Sequence, residues 1–236
     1  MISRPVPCSL AGHTGRTIRA IARGSQKIMR LFIVRHGETV ENVARIVTGQ
    51  QGGRLSPAGR EQARAIALRL RGEPIGPIYS SDLLRAFETA DILRDAIGSE
   101  ILIETRLREQ HFGEFEGRPL TALLRHMKKT GEDFLSLNPP GGEQSETFRG
   151  RIHDFFRELK ERRPGDSVLV VTHHGVIAVL LASLMKKTPE CASRDLLLHG
   201  VVLLAEIDAG DTVSLRYSMP GNGQRRWDTL WEQTKK

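Results

Sequence analysis

The stretch Met29-Arg30-Leu31-Phe32-Ile33-Val34-Arg35-His36-Gly37-Glu38-Thr39 is a short apolar run that ends on two cation-forming side chains and a glycine. Leu31 to Val34 are continuously apolar, the pattern of a strand covered on both faces in a parallel sheet. Such a strand has little reason to end on Arg35 and His36 unless something meets them there. Gly37 reads as the residue that lets the chain turn sharply and offer backbone N–H groups to an anion.

The same form returns at Val170-Val171-Thr172-His173-His174-Gly175: strand, histidine, then a glycine opening a helix. A lone histidine after a strand is commonly a hydrogen-bonded structural residue. Two parallel strands that end alike can instead bring two imidazoles face to face. One would attack phosphorus as a neutral base while the other, protonated, holds a phosphoryl oxygen. Of the adjacent pair, His173 is the candidate partner of His36, and His174 lines the pocket or serves structure.

Outward from these two strands, the chain alternates strands with helices. Ser56-Pro57 supplies an N-cap and an N1 proline, and Ala63, Ile66, Ala67 and Leu70 recur at helical spacing up to Gly72. Pro77 to Tyr79 reads as a brief strand, and Leu83, Phe87, Ala90, Leu93 and Ile97 as a helix closed by Gly98. Ile101 to Ile103 is edge-like. Leu120, Leu123, Leu124 and Met127 form one helical stripe, Asn138 to Gly142 a loop, and Phe148 to Leu159 the apolar face of a long helix. Ser167 to Val171 is the strongest strand, followed by a helix from Val176 to Met185. Val201 to Ile207 and Val213 to Tyr217 complete the sheet, and the tail from Pro220 reads as irregular. The pattern predicts an α/β three-layer sandwich with a mostly parallel central sheet flanked by helices. Its ligand crevice lies beyond the carboxyl ends of the strands.

Two further segments carry candidate chemistry. Ser80-Ser81-Asp82-Leu83-Leu84-Arg85 puts Arg85 in the first turn of a helix, where it is either a solvated charge or a guanidinium fork for a phosphoryl group. Leu107 to Gly117 is a loop with three carboxylates, Glu109, Glu114 and Glu116. Most would be surface charge, but one acid near the leaving oxygen would serve as proton donor.

The formal charge of +7 is unevenly spread. The leader before Met29 holds Arg4, Arg16, Arg19, Arg23 and Lys27 and no acid, so 35 basic residues less these five leaves 30 against 28 acidic ones. A body near +2 argues against nucleic acid as partner. Residues 1–28 read as a disordered extension ahead of a true start at Met29 or as a transit segment, which would make the protein cytoplasmic or mitochondrial respectively. No apolar run is long enough to span a bilayer, so a soluble protein without a membrane partner is expected. Cys8 and Cys191 offer neither a disulfide framework nor metal-ligand spacing. Oligomeric state is not legible.

Arg35-His36-Gly37-Glu38-Thr39 resembles the RHG signature of the histidine phosphatase superfamily, which includes the cofactor-dependent phosphoglycerate mutases. Later motifs match in order: Ser81-Asp82-Leu83-x-Arg85-Ala86-x-x-Thr89-Ala90, Leu107-Arg108-Glu109-x-x-x-Gly113-x-x-Glu116-Gly117, Pro140-Gly141-Gly142-Glu143, and Val171-Thr172-His173-x-Gly175-Val176-Ile177. The resemblance covers about Met29 to Tyr217 and makes residues 29–218 the histidine phosphatase domain, with 219–236 as tail. It implies that His36 is the phosphorylated nucleophile, that Arg35, Arg85 and His173 form its phosphate pocket, and that Glu109 is the proton donor. It also implies added phosphate contacts at Asn42, Thr48 and Gly49, with no metal and no cofactor.

The implied function is hydrolysis of a small phosphorylated metabolite, of the sugar phosphate or bisphosphate class. The loops resemble fructose-2,6-bisphosphatase-type and broad-specificity members. Phosphoglycerate mutase and α-ribazole phosphatase activities stand as alternatives, and so does an inactive phosphate-binding regulatory module. The short segment between Gly117 and Pro139 favours a phosphatase, since a mutase must shield phosphohistidine from water. Ala178 replaces an arginine expected soon after the last motif. Arg118, Arg125, Lys128 and Lys129 read as a wet face rather than as a second anion site.

Overall fold

The computed structural model describes residues 28–163, 165–185, 198–218 and 227–232. The basic leader up to residue 27, Cys8, Cys191 and residues 219–226 of the tail lie outside the described residues.

Seven strands form one sheet in the order β3-β2-β4-β1-β5-β6-β7. They are β1 (Met29–Arg35), β2 (Ile78–Ser80), β3 (Ile101–Ile103), β4 (Ser167–Thr172), β5 (Val202–Ile207), β6 (Val213–Ser218) and β7 (Asp228–Glu232). β3, β2, β4 and β1 run parallel, and β5 to β7 add an antiparallel half beside β1. The helices are α1 (Val40–Val43), α2 (Pro57–Leu70), α3 (Leu84–Ile97), α4 (Leu120–Thr130), α5 (Ser145–Arg162) and α6 (His174–Met185).

Alternation along the central strands divides the core. Leu31 and Ile33 of β1, with Val168 and Val170 of β4, face α5 and α6. Phe32, Val34, Leu169 and Val171 face α2 and α3. That is why both strands read as unbroken apolar runs: each face has its own helical layer to bury against. A smaller cluster of Val47, Phe115, Leu123, Met127 and Leu137 holds the loops over the sheet's carboxyl edge.

Local signals fixed several boundaries. Ser56 Oγ accepts the Gly59 amide at 3.0 Å and Pro57 occupies N1 of α2. Gly98 and Gly131 close α3 and α4 with φ of 79° and 77°, a conformation costly to a residue with a Cβ.

Three expectations are corrected. Phe87 and Leu124 are 38% and 44% exposed rather than core. The inward face of α3 carries Arg85, Ala86, Thr89, Ala90 and Leu93, because the helix delivers Arg85 to the sheet edge. On α4 the inward line is Leu123 and Met127, with Leu120 partly buried, and Leu124 turns out. The tail is not wholly irregular: β7 pairs with β6, and Trp227 packs 6.0 Å from the Phe32 ring with the Arg69 guanidinium over its face at 4.8 Å.

Candidate active site

β1 and β4 pair in parallel with Arg35 opposite Thr172, and the His36 amide continues the ladder to the Thr172 carbonyl at 2.9 Å. His36 and His173 are therefore the next residues of adjacent strands, and their ring centroids lie 5.1 Å apart. Both are fully buried.

The ring of His36 is fixed at both nitrogens. Nδ1 lies 2.8 Å from the Gly37 carbonyl, an acceptor, so Nδ1 carries the proton. Nε2, the unprotonated nitrogen, carries the nucleophilic lone pair, which here accepts from Arg85 Nε at 3.3 Å and is released from that contact when it attacks. Burial, with His173, Arg85, Arg35 and His199 beside it, holds the imidazole well below the ordinary histidine range, hence neutral.

Gly37 does not present its amide to an anion as the sequence suggested. That N–H donates to Thr89 Oγ1 at 3.0 Å. The glycine is required by crowding instead: a Cβ there would lie 2.4 Å from the Gly59 carbonyl oxygen. The first turn of α2 thus packs directly on the His36 loop.

Arg85 is 2% exposed and threads between His36 and the loop after α1. Its Nη1 and Nη2 donate to the carbonyls of Gln51 and Gly49 at 3.1 and 2.6 Å. Desolvation lowers its pKa, opposed by Glu109, Glu41 and Glu116. Arg35 is pushed down to about 10 by burial, against the pull of Glu109 and with Arg85 adding to it.

His173 differs from the protonated partner foreseen. Burial, then Arg85, Arg35 and Arg151, hold it well below the ordinary range, so this arrangement keeps it neutral. Its Nε2 shares a 2.8 Å hydrogen bond with Ser81 Oγ, whose lone pair also takes the Leu83 amide at 3.2 Å. With Ser81 donating, the ring proton sits on Nδ1, a buried atom without a hydrogen-bond partner among the described residues.

Glu109 is 8% exposed, and both of its oxygens meet backbone amides. Oε1 accepts Gln110 N at 2.9 Å, and Oε2 accepts Gly175 N at 3.0 Å in the first turn of α6. Each oxygen keeps a second lone pair for a proton.

A cavity of about 420 Å³ opens beside these groups, with His173 buried behind its wall. Arg35, His36, Arg85, Glu109, His174 and His199 are among its lining residues, as are Asn42, Thr48 and Gly49. Asn42 also caps α1, its Oδ1 accepting the Thr39 amide at 3.1 Å. Arg118, Arg125, Lys128 and Lys129 are exposed and do not line the cavity. Ala178 is buried on α6, in the core cluster that α5 and α6 share with the sheet. Among the described residues, no group of three or more His, Cys, Asp or Glu could hold a metal ion. No helix among them is long and apolar enough to cross a membrane.

Sequence reasoning missed His199. Its Nδ1 donates to the His36 carbonyl at 2.7 Å and its ring lies 5.3 Å from that of His36. Because β5 runs antiparallel to β1, with Val202 opposite Val34, the residues before β5 return beside His36. Leu198-His199-Gly200-Val201 has the same histidine–glycine step beside an apolar run, and that was the available signal. Also unforeseen was Arg151 on α5. It forks onto the Glu143 carboxylate at 2.7 and 2.8 Å and donates to the carbonyls of Arg106, Arg108 and Glu109. The Pro140 to Glu143 motif thus braces the backbone of the Glu109 loop. Glu116 ties the same loop to its neighbour, accepting the amides of Gln50 and Phe112, each at 2.9 Å.

Comparison with known proteins gives the family. The family described as Histidine phosphatase superfamily (branch 1) matches residues 31–219. The Probable phosphoglycerate mutase GpmB of Yersinia enterocolitica is 32% identical over 171 residues, 71% of this chain and 80% of that protein. Phosphoglycerate mutase-like protein 4 of Arabidopsis thaliana is 37% identical over 157 residues, 64% of this chain and 68% of its own length. Among solved structures, the alpha-ribazole phosphatase from Shigella flexneri superposes with a TM-score of 0.65 at 26% identity, covering 84% of this chain and 97% of that one. YhfR of Bacillus stearothermophilus gives 0.70 at 28%, covering 84% and 98%. The fructose-2,6-bisphosphatase-type likeness rests on the loop motifs alone.

Proposed function

The chain belongs to the histidine phosphatase superfamily (branch 1) and is an enzyme, and from that premise we propose that it hydrolyses phosphomonoesters through a phosphohistidine at His36. The observation that carries this reading is the tautomer of His36: Nδ1–H on the Gly37 carbonyl, Nε2 toward Arg85.

In the first step the Nε2 lone pair forms the N–P bond as the P–O bond to the leaving alcohol breaks. Glu109 gives that oxygen its proton. Arg35, Arg85 and His173 Nδ1 bear on the phosphoryl oxygens, where charge is spread in the transition state. A dianion beside His173 favours its protonated form, reversing the neutral state set by burial. In the second step water attacks phosphorus, its proton passes to Glu109, and the N–P bond breaks. Water is favoured as acceptor because only α4 and a turn separate Gly117 from Pro139.

Rapid quenching with a labelled phosphomonoester tests this. An acid-labile, base-stable phosphoenzyme should form and be abolished by His36→Ala. Label on another residue overturns the mechanism, and interconversion of phosphoglycerates with little free phosphate turns the reading into a mutase.

A further inference from the structure

Part of the cavity wall is apolar. Ile46, Val47, Phe112, Leu120, Leu123 and Phe134 form it. They come from the segment after α1, the loop before α4, α4 itself and the turn beyond it. Leu123 is 1% exposed and Val47 5%, so this wall is a continuation of the small core cluster that holds these loops together. Phe134 is 38% exposed, and its ring lies 5.7 Å from that of His174, linking the apolar wall to that histidine.

The cations of the cavity are unevenly placed. Arg35 and Arg85 belong to the phosphoryl site. Arg45 is the one other lysine or arginine among the described lining residues, and it is exposed. A second phosphate or a carboxylate set against the apolar wall would lose hydration and meet too little positive charge to replace it. An apolar group placed there leaves water for a wall of matching character, at no cost in unpaired polar atoms.

We propose that the substrate is a monophosphate ester of an apolar alcohol, whose hydrocarbon or aromatic part lies against Phe112, Leu120, Leu123 and Phe134. This narrows the phosphatase reading above and rests on it. It departs from the sugar phosphate or bisphosphate class that the sequence suggested, because among the described residues no second cationic cluster lines the cavity.

A homologous series tests it with leaving-group basicity nearly constant: ethyl, butyl and hexyl phosphate, beside glycerol 3-phosphate, 3-phosphoglycerate and fructose 1,6-bisphosphate. For the full-length enzyme, kcat/KM should rise by roughly fourfold per methylene buried until the cavity is filled. Hexyl phosphate should exceed each polar substrate. Phe134→Ala, at a half-exposed position, should reduce the hexyl-to-ethyl ratio. A flat series, or preference for the bisphosphate or phosphoglycerate, overturns the substrate class while leaving a working phosphatase. Failure on every ester, nitrophenyl phosphate included, overturns the phosphatase reading itself and this proposal with it.

Discussion

The Glu109 carboxylate accepts the Gly175 amide at 3.0 Å, so an acid on the loop after β3 is held by the first turn of the helix that follows His173. This contact explains the glycine. A Cβ at position 175 would lie 2.3 Å from Glu109 Oε1 and 3.1 Å from the Phe148 ring. Gly175→Ala should therefore leave the chain folded but displace the carboxylate. A misplacement near 1 Å costs about a hundredfold in rate, so kcat on an alkyl phosphate should fall by that order. Wild-type kcat in a variant with an unchanged melting curve would mean that this attachment does not position the acid.

Arg85→Ala removes the donor to His36 Nε2 and both tethers to the Gly49 and Gln51 carbonyls. Loss of one preorganised transition-state donor typically costs about 10²–10³ in kcat, and the freed loop should add to it. Arg85→Lys keeps the charge without the fork and should recover only part of the rate. Chelation should leave wild-type turnover unchanged, because arginines and His173 are assigned the cationic work. Steady-state rates on one alkyl phosphate check both statements, and a loss restored by added magnesium or zinc would refute the second.

Much of this was legible in the sequence for a physical reason. β1 and β4 are buried on both faces, so their apolar runs are unbroken, and the polar residues at their ends stood out as Arg35, His36 and His173. The cap at Ser56-Pro57 was equally plain. What failed were judgements that depend on which neighbour covers a face. Phe87 fits a helical stripe, yet α3 turns Arg85 and Thr89 inward to serve the His36 loop. His199 reaches the site through antiparallel pairing of β5 with β1, a long-range fact that the local His199-Gly200 step could hint at but not place. Arg151 acts through carbonyls of a distant loop and looks like any helix charge in the sequence.

Four histidines around the site are held neutral, and this sets a pH window for stability. His36 and His173 are lowered well below the ordinary value, and His174 and His199 are pushed down to about 4, in each case chiefly by burial. Between pH 6.5 and about 4 the unfolded chain binds protons that the folded one refuses, so stability is full above 6.5 and falls as pH drops through that range. Each such histidine contributes a slope of up to about 1.4 kcal/mol per pH unit. Asp82 and Glu104 are lowered instead, Asp82 chiefly by its hydrogen bond to Arg108 and Glu104 by those to Arg106, which outweigh its burial. Their contribution is lost only at still lower pH. Denaturant titrations from pH 7 to 4.5 should show the decline, and His199→Asn should make it shallower. A stability constant over that range would mean these rings are not neutral in the folded state.

Glu109 should act as the general acid in forming the phosphoenzyme. An alkyl phosphate expels an alkoxide, a poor leaving group unless it is protonated as the bond breaks. A nitrophenyl phosphate expels a stabilised phenolate that needs the proton far less. Glu109→Gln retains a carbonyl oxygen for the Gly175 or Gln110 amide but has no acidic proton to give. It should slow alkyl phosphates by roughly 10²–10⁴-fold and nitrophenyl phosphate much less. Glu114 is exposed on the same loop, so Glu114→Gln is the clean control and should show no leaving-group dependence. Glu116 is not a clean control, because its carboxylate holds the Gln50 and Phe112 amides. Glu116→Gln should weaken both substrate types alike by loosening the wall. Equal losses for Glu109→Gln would assign that residue to positioning, and a selective loss at Glu114 would move the proton donor there.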